Sequence, residues 1–249
     1  TSDSWVILSD IEQSIKSKIE AIGIPLKKWD IQINYGIKTG YNDAFIITTE
    51  KRNEILAHCL DDAERERTAE LIRPILRGRD IKRYSYDWAG LWLINTHNGV
   101  KGKLSPIDIN DYPSVKQYLD LHWEKIKKRE DKGITPYNLR TCAYMDDFNK
   151  PKILWKRVGS ILRFSYDDTR KLGLDSTCFA TGTDIAYICC VLNSPMGHFL
   201  LKDAPKTGTG DLLISVQAVE PIKIPQLEDT TIFTTFLQQY LAGNIDIEN

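Results

Sequence analysis

The longest uninterrupted apolar run of the chain, IAYICCVL at residues 185–192, limits what the rest of the sequence can form. Eight residues are too few to cross a bilayer, since a membrane-spanning helix needs about 20. A helix that is apolar on every side must be buried, so other segments have to cover it. Asp184 is a candidate N-cap, and the helix ends before Pro195. We therefore predict a globular domain around a buried helix.

The segments around this helix mix strand and helix patterns without regular β-α-β alternation. Further helices are predicted at residues 10–22 with Asp10 as N-cap, near 50–60, at 112–131 and at 233–243. Strands are predicted at residues 29–36, 44–48, 91–97, 150–158, 161–167, 176–182 and 211–225, with a turn at 61–67 and an arginine-rich loop at 74–86. This mixture predicts an α+β fold, a mixed β-sheet and hairpin structure with packed amphipathic helices.

Two glycines four residues apart lie in GIKTGYND, at residues 36–43, between the first two predicted strands. Glycine tolerates positive φ and allows close backbone approach, so Gly36 and Gly40 predict a tight loop at the tip of a β-loop-β unit. The stretch is not a P-loop, because that motif requires G-x-x-x-x-G-K-[ST]. The residues leave two functions open, a clamp for the DNA backbone and a purely structural hairpin.

The net charge of −1 by itself argues against nucleic-acid binding, but the charges are unevenly distributed. Residues 71–103 carry 7 basic and 2 acidic side chains, and residues 150–171 carry the same numbers. Two basic islands in an acidic chain can form one positive face, or they can be ordinary solvated surface. Among the interleaved aromatic residues, Trp155 and Phe164 are predicted to be core residues of a hairpin whose basic neighbours point outward.

No complete active site or metal site is indicated. The five cysteines contain no C-x-x-C pair, and the four histidines are scattered, which favours reduced thiols in the cytoplasm. Glu130 and Lys132 form an E-x-K pattern with Asp120 upstream, as in many nucleases, but a charged helix end explains it more simply. The methyltransferase tetrapeptide, Asn or Asp followed by Pro-Pro-aromatic, is absent. We predict no catalytic residue and no metal ligand in this chain.

Six blocks, in order along the chain, resemble one known family. They are GIKTGYNDAFII, LIRPILRGRDIKRY, LWLIN, YPSVKQYL, KPKILWKRV and VLNSPMGHFLL. Together they resemble the TaqI-like C-terminal specificity domain of type II restriction–modification enzymes, from about residue 5 to about residue 227. Within the family pattern, Gly36, Lys38, Thr39, Gly40 and Asn42 match the glycine loop, and Arg77, Gly78, Arg79, Asp80, Ile81, Arg83 and Tyr84 match the LRGRDIKRY block.

The resemblance implies a target recognition domain, of the type IIG kind, that grips duplex DNA and reads bases. S-adenosylmethionine and Mg²⁺ would then be bound by upstream methyltransferase and endonuclease domains, which are covalently linked, and no cofactor by this chain. Because the chain begins at Thr1, we expect a piece of a longer protein. Residues 1–24 would be a connecting helix, 25–227 the recognition core and 228–249 a C-terminal tail or helix.

Arginine, lysine and the residues of the glycine loop are the groups expected to meet DNA. The predicted DNA-binding residues are Lys38, Thr39, Tyr41, Asn42, Arg77, Arg79, Lys82, Arg83, Tyr84, Lys152, Lys156, Arg157 and Arg163. Three alternatives stay open at this point: a specificity domain of a methyltransferase without nuclease, a stand-alone nuclease using the E-x-K pattern, and a protein-interaction module with a basic face.

Overall fold

The computed structural model describes residues 9–246, and it has the expected α+β architecture. In this range the helices α1 to α10 are Asp10–Ile22, Asn42–Phe45, Thr49–Ala57, Asp62–Leu71, Pro113–Asp120, Trp123–Ile126, Ile185–Leu192, Pro195–Leu201, Val216–Val219 and Thr231–Leu241. The strands β1 to β12 are Ile24–Pro25, Ile31–Tyr35, Ile46–Thr48, Ile72–Leu76, Leu91–Ile94, Lys152–Lys156, Val158–Gly159, Phe164–Asp167, Leu172–Gly173, Thr177–Gly182, Leu212–Leu213 and Lys223–Ile224.

A central antiparallel sheet in the order β2-β10-β6-β8 organises the molecule. Its four strands are those predicted at 29–36, 176–182, 150–158 and 161–167, and the predicted pairing of the last two is confirmed. Alternate residues of each strand point to opposite faces. Ile153 and Trp155 belong to one hydrophobic core, whereas Leu154 and Phe179 belong to a second. The sheet therefore forms the wall between two cores.

The first core surrounds the apolar run of the sequence, as predicted. Helix α7 is buried over most of its length, and α10 packs on it through Tyr187 and Phe233, whose ring centroids are 4.9 Å apart. Asp184 is the N-cap residue, as predicted, but its side chain does not cap the helix: its backbone is left-handed and its carboxylate accepts a hydrogen bond from the Thr230 hydroxyl at 2.6 Å. No helix within residues 9–246 is both long and apolar enough to span a membrane.

The second core lies beneath a smaller sheet in the order β3-β5-β4-β9, in which the last pair is parallel. Two short ribbons, β1 with β12 and β7 with β11, complete the pairing of the described strands. Helix α1 begins with a capping box between Ser9 and Glu12, so its N-cap is Ser9 and the prediction of Asp10 is off by one residue. Of the first predicted segment, residues 1–8 lie outside the described residues, as do 247–249 of the last.

Four local predictions are wrong. The strand predicted at 211–225 is divided by α9 into the two short strands β11 and β12. The glycine loop is not the tip of a hairpin, because β2 and β3 belong to different sheets and residues 42–45 form a helical turn between them. Residues 61–67 are not a turn but the start of α4, where the Asp61 carboxylate caps the helix by accepting from the Glu64 amide. The helix predicted at 112–131 is divided into α5 and α6.

A five-residue segment, 173–177, connects three loops that are far apart in sequence, and we call it the anchor turn. Its backbone bonds to Gly36 and Ile37 of the glycine loop at 2.7–3.0 Å. The Leu174 amide donates to the Leu76 carbonyl at 2.9 Å, and the Ser176 hydroxyl accepts from the Gly78 amide at 3.0 Å. The Ser176 carbonyl also accepts from the Arg157 amide at 3.0 Å. These loops are thereby held side by side.

Replacement of Gly36 by alanine tests this anchor. A Cβ atom there would lie 2.0 Å from the Leu174 carbonyl oxygen, so the loop and the anchor turn would have to separate. We expect Gly36→Ala to lower the free energy of unfolding by about 1–3 kcal/mol in urea denaturation. Gly208→Ala is the control, because a Cβ there meets no atom within 4 Å, and its change should stay within about 0.5 kcal/mol. Equal effects of the two variants would contradict the anchor.

The buried ion pair between Lys152 and Asp167 makes a second stability prediction. Both side chains are fully buried and their charged atoms are 2.6 Å apart. Asp167→Asn leaves the Lys152 ammonium without its counter-charge, so we expect a loss of about 3–5 kcal/mol of unfolding free energy. Glu54→Gln, in an exposed pair with Lys51, is the control and should cost less than about 1 kcal/mol.

The pH dependence of the same variant checks the cause. Burial raises the pKa of Asp167, but the Lys152 ammonium and the hydrogen bonds from Thr169 outweigh it and hold that pKa below its usual value. The stabilisation by this carboxylate is then complete above the ordinary aspartate pKa of about 4 and is lost at lower pH. The difference between wild type and Asp167→Asn should shrink in acid. A difference that is constant from pH 7 to pH 3 would refute the ion pair as its origin.

Candidate nucleic-acid interface

The basic segments meet at one end of the central sheet, because the antiparallel register brings four strand ends together. Tyr35 at the end of β2 lies opposite Cys178, and Lys156 at the end of β6 lies opposite Thr177. The glycine loop (residues 36–42) and the 157–163 loop therefore leave the sheet at the same edge. The 77–80 turn reaches this edge through its bonds to the anchor turn. Two clefts open here.

The small cleft has a volume of about 170 Å³ and is lined by cations without a neighbouring acid. Its lining residues are Gly78, Arg79, Ile81, Lys156, Gly159, Ser160, Ile161 and Arg163. Gly78 is required at its wall, since a Cβ atom there would lie 2.8 Å from Cγ of Lys156. Within residues 9–246, none of its three cations forms an ion pair. These charges are free to meet an anion.

The large cleft, of about 720 Å³, lies between the glycine loop, residues 140–144 and α9. Its lining residues are Tyr35, Gly36, Ile37, Lys38, Arg140, Thr141, Cys142, Ala143, Tyr144, Arg157, Asp175, Leu213, Ser215 and Gln217. It combines three cations with a carboxylate, an amide and two phenols. Its chemistry is therefore more mixed than that of the small cleft.

The glycine loop has the backbone features predicted for it. Gly40 has a φ of 71°, and Gly36 allows the close approach of Leu174. Thr39 is buried, and its hydroxyl donates to the Asn42 side chain at 2.6 Å while it accepts from the Tyr41 amide. Thr39 therefore shapes the loop from inside, and its hydroxyl is not presented to a ligand. Tyr41 rests edge-on against His122, and Asn42 is exposed.

A buried arginine that the sequence reasoning missed holds this loop in place. The Arg129 guanidinium donates to the backbone carbonyls of Thr39 and Asp131 at 2.5 and 2.7 Å and to two more in the 136–138 segment. It also lies over the Phe45 ring, 4.4 Å from its centroid. Burial lowers the pKa of Arg129 to about 10, so the side chain stays charged at neutral pH. Arg129 directly precedes the E-x-K pattern of Glu130 and Lys132, and the sequence pattern itself gives no sign that Arg129 is buried.

An acid neutralises part of the large cleft. Asp131 pairs with Lys38 at 2.7 Å and with Arg140 at 3.4 Å. The hydrogen bond from Lys38 holds the pKa of Asp131 below its usual value, so the carboxylate is ionised at neutral pH. Lys38 is half exposed and lies on the cleft, where this pairing keeps it oriented.

Other predicted residues have structural contacts of their own. Arg77 forms a two-point ion pair with Asp80 that closes the 77–80 turn, with bonds of 2.7 and 3.1 Å. Lys82 pairs with Asp87 at 3.1 Å. Tyr84 is buried, and its ring meets Phe236 and Tyr240 of α10 edge-on. Arg83 is exposed and lies over the Tyr84 ring, 5.0 Å from its centroid.

Lys152 is not available to a ligand, which corrects the prediction that it contacts DNA. It is fully buried at the opposite end of the central sheet, where its ammonium donates to Asp167 and to the Phe148 carbonyl. The prediction assumed that basic residues of this strand point outward. Lys152 is the first residue of β6, but its side chain is directed inward to the buried Asp167 carboxylate. The prediction that Trp155 and Phe164 are core residues is confirmed.

The E-x-K residues do not form a group. Asp120 pairs with Lys116 and accepts from the Tyr137 hydroxyl, while Lys132 donates to the Lys127 carbonyl. Across residues 9–246, no three His, Cys, Asp or Glu side chains are arranged as a metal site.

Comparisons with known proteins identify the family. Residues 73–221 match the TaqI-like C-terminal specificity domain, which is more than half of the chain. The type II methyltransferase M.BstVI of Geobacillus stearothermophilus is 23% identical over an alignment of 246 residues that covers 92% of this chain and 39% of that protein. The chain thus spans well under half the length of this relative.

Two solved structures share the fold. The type IIL restriction–modification enzyme MmeI, solved in complex with DNA, is 13% identical with a TM-score of 0.59, covering 91% of this chain and 30% of that one. The type IIG restriction endonuclease BpuSI is 12% identical with a TM-score of 0.58, covering 92% of this chain and 27% of that one. The resemblance drawn from the six sequence blocks is confirmed: the chain belongs to the family of TaqI-like C-terminal specificity domains.

Proposed function

We propose that this domain recognises a specific sequence in double-stranded DNA and positions the site for linked catalytic domains. The observation that carries the proposal is the small cleft, where Arg79, Lys156 and Arg163 converge without an acidic partner. Phosphate contacts from arginine and lysine fix the register of a protein on a duplex. A cleft of this composition suits a DNA phosphate, and its position beside the glycine loop gives the duplex a second point of contact.

The linked domains are proposed to be an adenine-N6 methyltransferase and an endonuclease upstream of this chain. A methyltransferase and two restriction enzymes among the similar proteins support both activities. In this proposal S-adenosylmethionine and Mg²⁺ are bound by those upstream domains. The residues of this chain hold the duplex while the methyltransferase domain turns the target adenine out of the stack.

We place the protein in the cytoplasm, where thiols stay reduced. All five cysteines are free, and burial raises the pKa of Cys178 to about 12 and that of Cys142 to about 11. Such thiols are almost entirely protonated at neutral pH and therefore unreactive.

The proposal is tested by selecting bound duplexes from a random pool with the full-length protein. We expect a defined motif that contains an adenine, and methylation of that adenine when S-adenosylmethionine is added. Cleavage of the same duplexes in Mg²⁺ would report the linked endonuclease. Equal binding of the protein to all duplexes in the pool would refute the proposal.

The small cleft should determine part of the salt dependence of DNA binding. Each phosphate contact contributes roughly −0.9 to the slope of log K against log salt concentration. Lys156→Ala and Arg163→Ala should therefore each reduce the slope by about 1 and weaken binding to all duplexes alike. Lys150→Ala is the control, because it removes an equal charge near the opposite end of the sheet.

Titration of one duplex from 50 to 300 mM salt measures these slopes. If Lys150→Ala lowers the slope as much as Lys156→Ala does, the small cleft is not the phosphate site. Urea denaturation of each variant checks that the fold is retained.

A further inference from the structure

The small and the large cleft differ in chemistry. This difference suits one of them to DNA phosphates and the other to base edges. A phosphate is recognised by donors and positive charge alone. All charged residues that line the small cleft are cations. The large cleft also contains the Asp175 carboxylate, which only accepts hydrogen bonds and repels a phosphate, and the Gln217 amide, which can donate and accept. Base edges in the major groove present both donors and acceptors.

Two opposite charges in the large cleft are left without a partner. Arg157 and Asp175 both line it, yet in residues 9–246 neither takes part in an ion pair. Their backbones are fixed nonetheless, Arg157 by the Ser176 carbonyl and Asp175 by the Ile37 carbonyl, at 3.0 and 2.9 Å. Arg157 and Asp175 thus line the same cleft without pairing with each other. The guanidinium offers two parallel hydrogen-bond donors to a ligand, and the carboxylate offers an acceptor.

The amide of Gln217 is oriented by a neighbour. Its Oε1 atom accepts from the Tyr35 hydroxyl at 2.6 Å, which joins the start of α9 to the end of β2. Because Oε1 is held by this bond, the amide NH₂ group is directed away from Tyr35. Gln217 itself is exposed, so both the NH₂ group and the second lone pair of the oxygen are accessible. A side-chain amide presented in this way can pair with adenine N6 and N7.

We propose that the large cleft reads base edges of the target sequence, an inference that rests on the proposed function. Gln217 pairs with an adenine, with Tyr35 as its positioning residue. Arg157 donates to O6 and N7 of a guanine, and Asp175 accepts from the N4 amino group of a cytosine. Lys38 and Arg140, neutralised by Asp131, form the rim of this surface, and the phosphates are held by the small cleft.

The test is a selection from a random duplex pool, run in parallel with the full-length wild type and with single variants. Gln217→Ala and Tyr35→Phe should both relax the preference at one and the same adenine position, by roughly 5- to 150-fold. Asp175→Asn should relax a cytosine position, and Arg157→Ala a guanine position. Lys156→Ala is the matched control, which should weaken binding while leaving the motif unchanged.

The outcomes separate this inference from the function on which it rests. A wild-type protein that selects no motif would overturn the proposed function. A wild-type motif that Gln217→Ala and Asp175→Asn retain at every position, or that they weaken uniformly as Lys156→Ala does, would overturn the base-reading cleft alone. Loss of preference at different positions for Gln217→Ala and Tyr35→Phe would overturn the positioning role of Tyr35. Melting temperatures within a few degrees of wild type ensure that specificity and not folding is compared.

Discussion

The backbone hydrogen bonds of the anchor turn are the interaction on which the functional end of the molecule depends. Residues 173–177 bond to the glycine loop, to the 76–78 segment and to Arg157, so segments more than a hundred residues apart share one scaffold. Each of these segments brings a cation to the edge of the central sheet. None of these bonds uses a charged side chain, so Arg79 and Arg157, which line the two clefts, stay available to a ligand. The absence of a Cβ at Gly36 and Gly78 is what allows the approach.

The charged side chains of the two clefts are paired differently. In the small cleft the cations are unpaired, whereas in the large cleft Asp131 pairs with two of them, Lys38 and Arg140, and the third, Arg157, forms no ion pair within residues 9–246. A net charge of −1 for the whole chain is compatible with this arrangement, because the potential at a surface depends on where the charges lie. Attraction to phosphates is the same for every DNA sequence. A surface with weak attraction to phosphates and with hydrogen-bonding groups directed at bases therefore favours specificity.

Arg129 shows how such a surface is kept rigid. A buried guanidinium without a bonded carboxylate is costly, and here four backbone carbonyls and the face of Phe45 offset its loss of hydration. These carbonyls belong to the glycine loop and to residues 131–138, so the two loops move together. Loops that carry contacts on a rigid support are common in binding proteins. Burying one charge thus fixes two exposed ones, Lys38 and Arg140, through the segment that contains Asp131.

The sequence by itself determined the α+β class, the buried helix α7, the four strands of the central sheet and the family, because apolar periodicity and ordered blocks are local properties. It also identified Lys156 and Arg163 as available cations. Only the tertiary structure decided that the glycine loop joins two sheets and that Lys152 is buried. It also decided that Arg129 holds the glycine loop and that Gln217 lines the large cleft. Pairing of strands and burial of side chains depend on partners far away in the sequence, for example Gly78 with Ser176, which are 98 residues apart. The local sequence pattern contains no information on such partners. Lys152 is expected on the surface for this reason, whereas packing of distant segments buries it.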